Sequence, residues 1–310
     1  MRKIRWGVLG VAKIAVTKVI PAMQRCEWAE IVAIASRDLQ KARATGLAKS
    51  YGSYEELIDD PEIDAVYIPL PNHLHVPWSL RAARAGKHVL CEKPIGLSAA
   101  EARQLLGFPV KIGEAFMART HPQWVRVAEL VRSGRIGELR VINGFFSYDN
   151  RDPQNVRNVA EWGGGALMDI GCYPVTLARM LFGEEPRRAV GSIERDPQFK
   201  TDRLTSAILE FSTGRCVFTC STQLTPYQKM QMFGTRGMIE VEIPFNAPPD
   251  RPTRIFVDGI AEELPVCDQY TLQGDLFSRA ILEDSAVPVP IEDAVKNMEA
   301  IEAIFAASKS

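Results

Sequence analysis

Nothing in these 310 residues approaches the roughly 20 consecutive apolar positions that span a bilayer. Charge of one sign is not in excess either. Lys and Arg number 37 against 38 Asp and Glu, a formal net charge of −1. Bulk electrostatics therefore give no reason to expect nucleic acid or an anionic membrane as partner. Metal-site spacing is missing too. Six cysteines (Cys26, Cys91, Cys172, Cys216, Cys220, Cys267) are scattered. None forms a CxxC pair, and Cys216 with Cys220 lacks the second pair a zinc site needs. No metal is expected, and the thiols read as buried and reduced in a cytoplasmic protein. The segment Met1–Trp6 is basic but runs straight into a strand pattern, without the apolar core of a signal peptide. Internal repeats and low-complexity stretches are absent as well. What remains is a composition of 24% charged and 46% hydrophobic residues, that of a globular protein of one or two domains.

The first third alternates apolar strands with helical stretches. Strands are expected at Ile4–Leu9, Ile31–Ala35, Ala65–Ile68 and His88–Cys91. Helices are expected at Lys13–Arg25, Leu39–Lys49 and Pro77–Ala85, the last stopped by Gly86. Ser98 and Glu101 have the spacing of a capping box. This rhythm predicts a doubly wound, mostly parallel α/β sheet. After about Met117 it changes. A helix at Gln123–Arg132, a strand at Leu139–Tyr148 and a glycine-led helix ending near Phe182 precede five strand patterns between Arg188 and Val241. Thr213-Gly214 and Thr235-Arg236-Gly237 stand where hairpin turns belong. Pro244–Pro252 reads as a surface loop and Ile291–Ala307 as a closing helix. The second half is thus an α+β domain with a mostly antiparallel sheet.

Between the first strand and first helix lies Gly10-Val11-Ala12-Lys13-Ile14-Ala15. Small residues here let backbone N–H groups and a helix N-terminus approach a pyrophosphate. The end of the second strand should choose the dinucleotide. An NAD site places a carboxylate there for the ribose 2′-hydroxyl, whereas this chain has Ser36 and Arg37, a donor and a cation suited to a 2′-phosphate. Asp38 falls two places late and is expected to cap the next helix. Leu70, Pro71, Asn72, His73 and His75 follow the strand Ala65–Ile68, at the strand end where ligands bind in open α/β sheets. Two histidines without further partners make a poor zinc site. A wall against the nicotinamide ribose is expected instead, although His75 fits equally as a helix-start residue.

Cys91-Glu92-Lys93-Pro94 ends another strand, and charges there are costly unless paired or used. Beside an oxidised nicotinamide, Lys93 would meet a positive neighbour and partial desolvation, which suits a proton-transferring amine. Pro94 restricts Lys93 to extended geometry. The second constellation is Trp162-Gly163-Gly164-Gly165 followed by Asp169 and Tyr173, four residues apart and so stacked by one helical turn. Pro174 predicts a kink or break at Tyr173.

Together these residues resemble the glucose–fructose oxidoreductase / inositol dehydrogenase (Gfo/Idh/MocA) family. Matching segments are Trp6–Gly10, Ala33–Arg37, Tyr51–Leu57, Asp64–His75, Gly86–Pro94, Glu114–Met117, His121–Gln123 and Gly163–Pro174. The chain is most similar to the branch of NADP-linked aldose 1-dehydrogenases and dimeric dihydrodiol dehydrogenases. The resemblance implies a Rossmann domain over 1–117 and a substrate and dimerisation domain over 118–310, with an open-faced sheet through which members form homodimers. It implies catalysis by Lys93 with Tyr173, Asp169 assisting, and NADP as cofactor. Glu92, Lys93, Arg119 and Trp162 then join the glycine-turn, Ser36–Arg37 and Leu70–His75 residues as cofactor contacts. Two stretches, Lys41–Tyr51 and Glu101–Val110, are shorter than the family's. Ala118-Arg119-Thr120 replaces a more aromatic stretch, and no arm precedes the first strand. The expected activity is hydride transfer from a sugar CH–OH to NADP. The alternatives are a trans-dihydrodiol dehydrogenase or carbonyl reductase, and a non-catalytic NADP(H) sensor. A sensor would have no need for Lys93, Asp169 and Tyr173 together.

Overall fold

The computed structural model describes residues 2–308. They form two compact units, one of residues up to Thr120 with Asp268–Val295, the other of His121–Cys267 with residues from Lys296 on.

The first unit holds six parallel strands, β1 (Ile4–Leu9), β2 (Ala29–Ala35), β3 (Lys49–Tyr51), β4 (Ala65–Ile68), β5 (His88–Glu92) and β6 (Ile112–Ala115). Their order is β3-β2-β1-β4-β5-β6, so the winding reverses between β1 and β4, the topological switch point of a doubly wound sheet. The helix expected at Lys13–Arg25 contains a wide π turn, Ala15–Val19, before Ile20–Met23. Pro21 explains the widening: it has no N–H for the carbonyl four residues back, and its ring would strike that carbonyl in a tighter turn. The helix expected at Leu39–Lys49 ends at Arg43, because Gly46 turns the chain at φ +73° and Lys49 joins β3. Asp38 caps it, its side chain accepting from Gln40 and Lys41 N–H. Ser98 caps Ala99–Arg103 by accepting from Glu101 N–H, while Glu101 reaches back to Leu97 N–H.

One segment returns to this unit from far along the chain. Helix Gln269–Leu282 buries Phe277 and Ser278, with the Trp6 indole N–H donating to Ser278 Oγ at 2.9 Å and its ring edge-on to Phe277. The sequence-based boundary after 117 assigned this segment to the second domain. Its inward face carries Gln269 and Gln273 beside Phe277, which hides the apolar period that would have revealed it.

The second unit is built on eight strands: β7 (Leu139–Asp149), β8 (Arg188–Arg195), β9 (Asp202–Glu210), β10 (Arg215–Ser221), β11 (Gln223–Gly234), β12 (Met238–Val241), β13 (Thr253–Val257) and β14 (Ile260–Leu264). Their order is β14-β13-β12-β11-β7-β10-β9-β8, and only β10 with β7 is parallel among these neighbours. Cys216, Phe218 and Cys220 alternate inward on β10, whereas Val217 and Thr219 are half-buried on the other face. Helix Cys172–Phe182 covers the inner face, where Gly144 leaves room for Pro174 and Phe218 on either side. The loop expected at the surface over Pro244–Pro252 is partly core. Phe245 is fully buried, and the Pro244 carbonyl accepts from Trp124 Nε1 at 2.7 Å. None of the six cysteines is in a disulfide; five are buried and Cys267 is half-buried. Among the described residues no helix is long and apolar enough to cross a membrane.

Candidate active site

In the first unit the residues expected to bind the dinucleotide follow the ends of β1, β2 and β4, the strands at and next to the switch point. Gly10 follows β1 at φ +106°, a conformation that L side chains rarely adopt, and a Cβ there would stand 2.9 Å from Leu70. The turn after β1 and the loop after β4 are thus in close contact. Val11, Ala12 and Ile14 are half-buried and Lys13 is exposed. At the end of β2, Ser36 Oγ accepts from Asp38 N–H at 3.1 Å, which leaves its own hydrogen to donate. Arg37 is exposed, and Asp38 is occupied by its capping bonds. No carboxylate at this strand end is therefore left to take a ribose 2′-hydroxyl, and the donor set fits a 2′-phosphate.

The loop carrying Lys93 is held on several sides. Glu92 Oε1 accepts from the Tyr67 hydroxyl at 2.6 Å, and Glu92 Oε2 accepts from Lys93 N–H. Tyr67 is fully buried on β4, and burial pushes its phenol well up, so it remains a donor. Glu114 on β6, itself 2% exposed, accepts from Ile95 N–H at 2.8 Å. His75 stitches two loops, with Nδ1 2.7 Å from the Pro94 carbonyl and Nε2 2.6 Å from the Leu70 carbonyl. It is 1% exposed with both ring nitrogens engaged inside the protein. Its ring serves the two loops it joins, in keeping with the helix-start reading of His75. Burial pushes its pKa down to about 4, against the two carbonyls that raise it. Asn72, His73 and Leu74 form a single short helical turn after Pro71, and partial burial lowers the His73 pKa. Arg119 is ion-paired to Asp293.

The second unit carries Trp162, Asp169 and Tyr173. Trp162 is 39% exposed. The helix does not break at Tyr173. The distortion instead falls one turn earlier, as a π turn over Leu167–Gly171 that makes room for Pro174. Asp202 anchors its start, accepting from Leu167 N–H at 2.7 Å and Thr205 Oγ1 at 2.9 Å. Tyr173 is 5% exposed, its ring edge-on to Phe146 and tilted against Phe245.

Two neighbours of Asp169 were missed in the sequence. The Tyr148 hydroxyl donates to Asp169 Oδ2 at 2.6 Å, and Arg157 Nε donates to the same oxygen at 2.8 Å. Burial, then Asp169, drives the Tyr148 pKa far up, so it stays a phenol that orients the carboxylate. Arg157 lies 12 residues before Asp169, in a loop with no periodicity. The one signal was the glycine run, whose purpose is to admit the Arg157 backbone: a Cβ on Gly164 would stand 2.4 Å from the Arg157 carbonyl. Among the described residues no group of three or more His, Cys, Asp or Glu could hold a metal ion.

Two family models match the chain. Residues 4–118 match the oxidoreductase family NAD-binding Rossmann fold and residues 124–240 the GFO/IDH/MocA C-terminal domain. An uncharacterised oxidoreductase of Rhizobium meliloti is 48% identical, covering 98% of this chain and 96% of that protein. D-xylose 1-dehydrogenase (NADP(+)) 2 of Haloferax volcanii is 36% identical over 98% and 97%. A 3-ketoreductase from Actinomadura kijaniata, crystallised with NADP and TDP-benzene, superposes with a TM-score of 0.92 at 28% identity, covering 99% and 98% of the two chains.

Proposed function

The chain belongs to the GFO/IDH/MocA family of oxidoreductases, and from that membership we propose that it is an NADP(H)-dependent enzyme oxidising the C1 hydroxyl of an aldose. The observation that carries this reading is the Lys93 loop. Tyr67 through Glu92, His75 through Pro94, and Glu114 through Ile95 fix it at a strand end beside the switch point. A sensor that only binds a dinucleotide would not need a lysine-bearing loop whose backbone is held so firmly. Similarity to the haloarchaeal D-xylose 1-dehydrogenase along both chains supports a sugar as substrate.

NADP+ supplies the hydride acceptor when bound. Gly10–Ile14 would take its pyrophosphate, Ser36 and Arg37 its 2′-phosphate, and the Leu70–His73 segment with Trp162 and Arg119 the remainder. Tyr173 accepts the proton of the C1 hydroxyl as the C1 hydrogen leaves with its electron pair, and the sugar becomes a lactone. Lys93 supports this transfer as a cation that favours the phenolate. Asp169 orients a neighbouring hydroxyl. The same groups, with Tyr173 donating, serve carbonyl reduction, a second reading favoured by the fold match to the 3-ketoreductase. Exposed Val190, Leu224 and Tyr227 on β8 and β11 support a homodimer through the second sheet, which light scattering would check.

A panel of aldoses, trans-diols and keto-sugars with NADP+ or NADPH, read by nicotinamide absorbance, tests the function. Aldose oxidation is the expected result, and turnover of none of the panel would remove it. Tyr173→Phe deletes only the hydroxyl. It should keep its melting temperature and NADPH affinity and lose most turnover, whereas a folded variant with half the wild-type rate would exclude Tyr173 from the chemistry.

A further inference from the structure

We propose that Arg157 is a substrate-binding residue whose terminal guanidinium nitrogens hold a hydroxyl of a neutral sugar beside Asp169. The inference rests on the aldose reading above and narrows its substrate class.

Arg157 is placed with care. Asn155 Oδ1 accepts its N–H at 3.1 Å in a short helical turn, Val156–Asn158. Its carbonyl accepts from Gly165 N–H at 2.9 Å. Next to it, Asn158 Nδ2 ties the loop together through the Asn150 and Asp152 carbonyls. Backbone and glycine run are therefore committed to presenting this one side chain.

The side chain is used incompletely. Only Nε bonds Asp169, and the two terminal nitrogens have no partner among the described residues. An arginine held on a carboxylate frequently engages it with two nitrogens. Arg179 does so on Glu185, through Nε at 2.6 Å and Nη2 at 2.9 Å, with its side chain 3% exposed. Arg157 instead leaves its forked end unused and its side chain 43% exposed, while Asp169 is 13% exposed. Unused donors on an otherwise immobilised arginine point to a ligand.

The charge balance says which ligand. Asp169, the leading influence, raises the guanidinium pKa, so Arg157 is a cation at any working pH. The carboxylate 2.8 Å away cancels most of that charge for an incoming group. A phosphate or carboxylate would meet Asp169 as a like charge. A hydroxyl oxygen accepts from the guanidinium without that penalty, and its neighbour can donate to the carboxylate. The pair thus suits two adjacent hydroxyls of an uncharged sugar.

The experiment pairs variants with sugars that each lack one hydroxyl. Kinetics of wild type, Arg157→Met and Arg157→Lys are measured with the best aldose, its monodeoxy analogues and its phosphorylated form. Arg157→Met should lower kcat/KM about ten- to a hundredfold, mostly through KM, the range of one charge-assisted hydrogen bond. One deoxy sugar should show the same loss on wild type and no further loss on Arg157→Met. Arg157→Lys, which keeps the charge and loses the fork, should fall between. Wild type should prefer the neutral sugar to its phosphate. If wild type oxidises aldoses but Arg157→Met matches it within twofold, or every deoxy sugar loses further on the variant, the inference is overturned and the aldose function stands. If wild type oxidises no sugar, both fall. Thermal melting of both variants confirms that losses belong to folded protein.

Discussion

Arg37 sits exposed at the end of β2, and Asp38 beside it is consumed by its capping bonds. Cofactor choice therefore depends on one cation and the Ser36 hydroxyl. A charge-assisted bond to a 2′-phosphate is worth about one to two decades in affinity. Arg37→Asp should erase or invert the preference for NADP over NAD in paired titrations, and a wild type that binds both equally would count against it. Lys93 poses a different question, because its backbone is pinned by Glu92, Pro94 and Ile95 contacts that a side-chain change leaves in place. Lys93→Met should thus bind NADPH nearly normally and turn over about 10²–10⁴ times more slowly, the usual size of an acid–base contribution. A variant that loses cofactor affinity but keeps its rate at saturation would make Lys93 a binding residue instead.

Two helices that follow glycine turns share one device. A π turn, Ala15–Val19 in one and Leu167–Gly171 in the other, precedes Pro21 and Pro174 respectively. The prolines advertised trouble in the sequence, and the sequence reading placed it at the residue before Pro174. The helix absorbs it a turn earlier, because the clash is with a carbonyl four residues back. The start of the second helix depends on Gly165, at φ +119°, where a Cβ would lie 1.9 Å from Asp202 Oδ1. Gly165→Ala should cost about 2–5 kcal/mol in urea unfolding, from backbone strain and a broken buried capping bond. Gly183→Ala is the control, since it sits at φ +69° with nothing within 4 Å, and should cost far less. Elements with unmixed patterns, such as β1, β4, β12 and the closing helix Ile291–Ala307, were legible to the residue. Those that bury polar groups were not, and the same holds at the site. Lys93, Asp169 and Tyr173 announced themselves by motif, whereas Tyr67, Tyr148 and Arg157 matter only through contacts that a linear chain conceals.

Over the whole molecule, buried titratable groups set the response to acid. Burial pushes His75 and His121 down to about 4, and the His121 Nδ1 lone pair caps helix Pro122–Arg132, a task only the neutral ring performs. Each contributes stability that is complete above the unfolded value near 6.5 and is lost as pH falls towards 4. Asp202 opposes them. Burial raises it to about 6, so its contribution is complete below the unfolded value and is lost as pH rises through 6. Burial of His75 and His121 together outweighs the single opposing carboxyl, so stability falls as pH drops. The urea midpoint should therefore fall steadily from pH 6.5 to 4, and His121→Asn, which caps without titrating, should flatten the curve. A midpoint that holds or climbs towards pH 4.5 would mean that Asp202 dominates.

The return of Asp268–Val295 to the first unit has a consequence in time. A ribosome delivers the chain at about 5–20 residues per second, so Phe277 and Ser278, the partners of Trp6, emerge roughly ten to thirty seconds after β6. During that interval the nascent Rossmann sheet carries an uncovered apolar flank while the whole second sheet is being made. The amino-terminal unit is thus the first part to be synthesised and among the last to be completed. A fragment ending at Thr120 would remain permanently in that unfinished state, and adding Asp268–Val295 as a separate peptide is the way to finish it.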